Sequence, residues 1–110
     1  MESVKTNTEN GLNPLDWLCD WYAGECNGDW EEDYGITIET LDNPGWAIKI
    51  DLKDTSVAMK KFADILEKQT ESDWFGFELR DGAFFGYGDP SKLPFLLKAF
   101  RNYAQTGKPI

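Results

Sequence analysis

Two turn signals constrain what this chain can fold into. Asp42-Asn43-Pro44-Gly45 separates YGITIETL from a run in which Trp46, Ile48, Ile50 and Leu52 alternate with Lys49 and Asp51, and Asp81-Gly82 separates WFGFELR from AFFGYG. Asn, Pro and Gly favour tight turns, and Asp-Gly supplies the backbone angles of a two-residue hairpin loop. In the first pair Ile36 and Ile38 share one face while Thr37 and Glu39 take the other, as expected of a hairpin with one buried side. Four strands in two hairpins are thus predicted.

Helical signals flank them. Asn13-Pro14 is a helix start, with Asn as N-cap and Pro at the first helical position. Leu15, Leu18, Cys19, Tyr22 and Cys26 then fall within an arc of about 100° and are expected to form the core stripe. Trp17 and Trp21 stand beside it, and Asp16 and Asp20 lie on the opposite flank. Asn27-Gly28-Asp29 ends this helix, and Trp30 to Asp33 reads as an acidic connection. A second helix is predicted over roughly 56–69, capped by Asp54, Thr55 or Ser56. Ala58, Met59, Phe62, Ile65 and Leu66 form its apolar arc. A last helix holds Leu93, Leu96, Leu97, Phe100, Tyr103 and Ala104 and begins near Pro94 after a turn at 89–92. The predicted fold is a single α+β domain of order α-β-β-α-β-β-α, with an antiparallel sheet of about four strands packed against helices. It spans 13–105, with a flexible arm at 1–12 and a flexible tail at 106–110.

Charge is distributed unevenly. Residues 6–48 hold ten acids and no Lys or Arg, and the rest of the chain has one base in excess, so this segment carries the whole of the formal net charge of −9. Such asymmetry costs self-repulsion and points to a surface that attracts a basic partner or repels an acidic one. It opposes nucleic-acid binding, which needs a basic footprint. The first 13 residues lack the apolar stretch of a signal peptide, and no apolar run reaches the roughly 20 residues of a membrane span. A cytoplasmic location is expected, with Cys19 and Cys26 as reduced thiols; seven residues apart on one helix they lie about 10 Å apart, too far for a disulfide.

Catalytic signatures are missing. The chain has no His, the commonest general base, and no phosphate loop or nucleophile elbow. Glu31-Glu32-Asp33 could be cast as paired carboxylates, and Asp29, Glu31, Asp33 and Asp42 as calcium ligands, but the spacing lacks the EF-hand pattern. No catalytic residue, metal or cofactor is predicted.

Binding chemistry is better represented. Three of the five Trp, at 17, 21 and 30, lie in the acid-only segment. An indole ringed by carboxylates suits a basic protein: the ring supplies contact area and stacks on Arg, while the acids accept hydrogen bonds and steer encounter. The predicted partner-binding residues are Asp29, Trp30, Glu31, Glu32 and Asp33, extended by Asp16, Asp20, Glu25, Trp17 and Trp21. Two alternatives are an acidic interaction module of another kind, and a small-ligand or metal-binding domain using a groove left by Gly76, Gly86 and Gly88.

Trp17, Trp21-Tyr22, Cys26-Asn27-Gly28-Asp29-Trp30-Glu31, Tyr34-Gly35-Ile36 and Thr40-Leu41-Asp42-Asn43-Pro44-Gly45-Trp46 resemble the bacterial immunity protein 53 family over about residues 14–105. The resemblance implies a cytoplasmic protein of a polymorphic toxin system, encoded beside a secreted toxin that it binds and neutralises. It brings no catalytic motif and does not identify the toxin. The charge suits a basic toxin surface, such as the active site of a nuclease that itself holds phosphate.

Overall fold

The computed structural model describes residues 13–110. Its elements are α1 (Pro14–Glu25), α2 (Trp30–Asp33), β1 (Ile36–Leu41), β2 (Gly45–Asp51), β3 (Ile65–Thr70), β4 (Asp73–Arg80), β5 (Ala83–Gly88) and α3 (Leu93–Thr106). The strands form one antiparallel sheet in the order β1-β2-β5-β4-β3. The α+β architecture is as expected, with five strands instead of about four.

Both hairpins form where the turn signals stand. Gly45 closes the first opposite Leu41, and Arg80 pairs with Ala83 across Asp81-Gly82. Asp81 and Gly82 both take positive φ, 53° and 76°, as a two-residue hairpin demands. Register then builds the buried face in rows. Ile36, Ile50, Phe84 and Leu79 make one row, and Ile38, Ile48, Gly86, Phe77 and Ile65 make the next, although on the edge strand β1 Ile36 is only partly buried and Ile38 is exposed, contrary to expectation. Phe84 and Phe100 meet at 5.4 Å between ring centroids, so α3 lies on this face, and Trp17 reaches Phe100 from α1.

The helix predicted over 56–69 is absent. Asp54 adopts φ 64°, which no helix N-cap uses, and Val57 N–H donates to Thr55 Oγ1, bending the chain. Residues 57–64 cross the end of the core as an irregular segment. Phe62 packs on Phe84 and Tyr103, and Tyr103 Oη donates to the Lys60 carbonyl at 2.9 Å. The following residues pair with β4, Ile65 opposite Phe77 and Leu66 opposite Gly76. Pairing with a neighbouring strand satisfies backbone groups on both sides, and this tertiary gain overrides the helical spacing. Leu66, expected in a helical core arc, is 71% exposed on the opposite face of the sheet.

The arc of α1 is also rotated: Leu18 enters the core as expected, but its company there differs. Trp17 and Leu18 are buried and Trp21 packs against the core, whereas Leu15, Cys19 and Tyr22 are exposed. Up to Glu25, its last residue, apolar residues occupy this helix everywhere except the flank of Asp16 and Asp20, and the side bearing two indoles removes more apolar area from water. The tail expected to fray is seated instead: Gly107 ends α3 in the left-handed conformation, Pro109 is buried, and its carbonyl accepts from Asn102 Nδ2 at 3.1 Å.

No groove remains at the hairpin glycines. A Cβ on Gly76 would stand 2.4 Å from the Tyr87 ring, and one on Gly86 would stand 3.2 Å from Ile48 and Phe77. Their space is already taken by the chain's own side chains, and Gly88 is likewise covered by Lys92.

Asp89 joins the sheet to α3. Its buried carboxylate accepts from Trp74 N–H (2.9 Å), Ser91 N–H (2.8 Å), Ser91 Oγ (2.6 Å) and Lys92 Nζ (2.7 Å). The Lys92 ammonium, then Ser91, hold this carboxyl far below the ordinary Asp range. A depressed folded-state value means that the stabilisation is complete above the unfolded value of about 3.9 and is lost as pH falls through the folded value. Asp89→Asn should therefore lower the melting temperature at pH 7, and the gap from wild type should narrow between about pH 4 and pH 2. Thermal melts across that range check this; a gap that does not change with pH would contradict it.

Candidate functional site

The acidic turn is built by reciprocal hydrogen bonding. Asn27 Oδ1 accepts from the N–H groups of Asp29 (2.9 Å) and Trp30 (3.0 Å). Glu31 reaches back, its two oxygens accepting from Asn27 N–H (2.9 Å) and Gly28 N–H (2.7 Å). This is the logic of a capping box, with orphan donors at both ends of a turn satisfied by each other's side chains. Gly28 takes φ 95°, a conformation open to glycine at little cost. Backbone N–H groups, first that of Glu31 itself and then those of Asn27 and Gly28, hold the Glu31 carboxyl below its ordinary range.

Trp30 is the internal support of this turn. It is 3% exposed, its Nε1–H donates to the Lys53 carbonyl at 3.0 Å, and its ring meets Trp21, Tyr22 and Tyr34 at 6.1, 5.9 and 6.5 Å. Trp30, and Trp17 at 6% exposure, present little surface for the contact role expected of them. Trp21 is half-buried, with its Nε1 enclosed and without a hydrogen-bond partner among the described residues. The chain has enough apolar area here to bury indoles, and burying them contributes more than leaving them in water.

The carboxylates divide by function. Glu25 accepts from the Ser56 N–H at 3.0 Å and from the Ser56 hydroxyl, tying the end of α1 to the loop after β2. Glu31 is committed to the turn. Asp29, Glu32 and Asp33 are exposed around Trp30, and Asp16 and Asp20 are exposed on α1. Asp42 lies in the turn at the far end of β1, a six-residue strand and so roughly 20 Å away. It cannot join Asp29 and Asp33 around one ion. Among the described residues no group of three or more His, Cys, Asp or Glu is placed to hold a metal.

Folding adds residues that the acidic segment did not reveal. Asp29, Asp33, Asn27, Trp30 and Tyr34 line a shallow depression of about 270 Å³ together with Asp54, from the loop after β2. Asp54 arrives through the Trp30 to Lys53 hydrogen bond, a long-range contact with no local signature. Tyr34 and Tyr22 supply the accessible aromatic surface in place of Trp30; Tyr22 is 39% exposed. Helical spacing with Leu15 and Cys26 predicts a core position for Tyr22, and its exposure follows from the rotated arc of α1.

Chemically, this surface offers fixed negative charge and aromatic edges on a clamped turn. No helix among the described residues is long and apolar enough to cross a membrane. The family model for immunity protein 53 matches residues 15–105, from the first turn of α1 to the last turn of α3. No curated protein and no solved structure matches the chain. With the family match extending over both hairpins and both long helices, the chain belongs to the immunity protein 53 family.

Proposed function

We propose that this protein neutralises a cognate bacterial toxin, within a polymorphic toxin system, by stoichiometric binding in the cytoplasm and without catalysis. The acidic surface covers a basic surface on the toxin. The observation that supports this most is the clamped turn, which holds Asp29, Glu32 and Asp33 outward beside Asp54 while Trp30 fixes it from within. Carboxylates held in place lose little conformational entropy on pairing with Lys or Arg. Asp16 and Asp20 extend the negative field along α1, in a stretch from 13 to 48 that has no base.

A toxin whose active site binds phosphate presents a field of the opposite sign, so a nuclease is the target class that this surface suits. Covering such a site would exclude the nucleic acid by occupancy and by repulsion. The protein should form a one-to-one complex with the toxin encoded beside it, and its association rate should fall steeply as ionic strength rises. Stopped-flow mixing across a salt series measures this. An association rate indifferent to salt would remove the electrostatic reading, and absence of a complex would remove the binding mechanism.

A further inference from the structure

The rotated arc of α1 leaves an apolar face that the fold covers only in part. Leu15, Cys19, Tyr22 and Cys26 recur at helical spacing, yet the chain turns Trp17 and Trp21 inward and buries Leu18 at the border between the two faces. Leu15 is 54% exposed, Tyr22 is 39% exposed, and Cys19 lies exposed between them. At its start this face runs into a groove of about 330 Å³ lined by Asn13, Pro14, Leu15, Leu93, Pro94 and Leu97, where α1 meets the first turn of α3. Asn13 is the one polar residue in that lining. Its Oδ1 accepts from Asp16 N–H (2.8 Å) and its Nδ2 donates to Asp16 Oδ2 (3.0 Å). The groove therefore presents apolar surface without the convergent polar groups that orient a small ligand.

Charge selects the occupant. Asp16 and Asp20 run along one flank of the face, and no Lys or Arg occurs between 13 and 48. A twofold-related second copy would set these carboxylates against their own equivalents, and an anionic lipid surface would repel them. A protein segment with an apolar ridge flanked by Lys or Arg satisfies both parts at once, as an amphipathic helix laid in a groove does. Resting on the toxin-binding function above, we propose that the solvent face of α1 and its groove with α3 seat an apolar ridge of the toxin flanked by basic residues, with Leu15 as the central contact.

The test compares Leu15→Gln, Leu15→Met and the pair Glu32→Lys/Asp33→Lys by calorimetric titration of the neighbouring toxin into the full chain, with melting temperatures in parallel. Leu15→Gln changes no charge and sits on an exposed position. It should weaken binding roughly ten-fold or more by removing buried apolar area at the interface, with little change in melting temperature. Leu15→Met should bind within about two-fold of wild type. If Leu15→Gln binds like wild type while the charge variant is weakened, the toxin docks without α1: the proposal fails and the toxin-binding function stands. If wild type binds no toxin, that function fails and the proposal with it. If sedimentation reveals a dimer that Leu15→Gln dissolves, the occupant is a second copy, which overturns the proposal. It is equally overturned if deleting residues 1–12 lowers the melting temperature and abolishes the effect of Leu15→Gln, because the groove then belongs to the chain itself.

Discussion

Replacing Trp30 by Ala is expected to lower the melting temperature by on the order of 10 °C or more. Truncating a buried aromatic of this size costs about 3–5 kcal/mol, and each kcal/mol moves the midpoint of a small domain by several degrees. The indole fills the space between α1, α2 and the loop after β2, and its ring neighbours Trp21, Tyr22 and Tyr34 would face a cavity. The Lys53 carbonyl would lose its donor. Trp30→Phe should cost less, because it retains most of the packing. Thermal melts of both variants, followed by toxin titration at a temperature where each is folded, separate support from contact. A Trp30→Ala protein that melts like wild type but binds toxin poorly would return the indole to the interface.

Reversing the two carboxylates on the outer side of the same turn should have the opposite signature. Glu32 and Asp33 are exposed, and neither clamps the backbone as Glu31 does. Glu32→Lys/Asp33→Lys should leave the melting temperature within a few degrees of wild type. Each reversal converts an attraction for a toxin Lys or Arg into a repulsion. Losses at charge pairs of this kind run to about 2–5 kcal/mol, or roughly 30- to 4,000-fold in Kd. The loss should shrink at high salt, where exposed charges are screened. Calorimetric titration at two ionic strengths measures it, and loss of protection on co-expression with the toxin is the cellular counterpart. Unchanged affinity and protection would place the toxin elsewhere on the protein. Glu31 is unsuited to this experiment, because its reversal would also release the Asn27 and Gly28 amides.

Much of this fold was legible locally. Asn13-Pro14, Asp42-Asn43-Pro44-Gly45 and Asp81-Gly82 each encode their own backbone geometry within a few residues, and the structure forms a helix start and two hairpins there. The edge strand β3 was not legible. Residues 56–69 carry a helical pattern, and what defeats it is the open edge of β4, which the sequence cannot display. The candidate site divides in the same way. Asp29 to Asp33 stood out as a charge run, whereas Asp54 reaches them only through a hydrogen bond between Trp30 and Lys53.

The sequence by itself determined where the chain turns, that its negative charge gathers before residue 49, and that α1 is apolar over more of its circumference than one core stripe needs. Those properties depend on residue type and on spacing within one element. Tertiary structure decided which flank of α1 enters the core, that Trp30 supports the acidic turn from inside, and that Leu15 and Tyr22 remain outside. Burial is a competition for a limited interior, and elements distant in sequence settle it by the area that each removes from water.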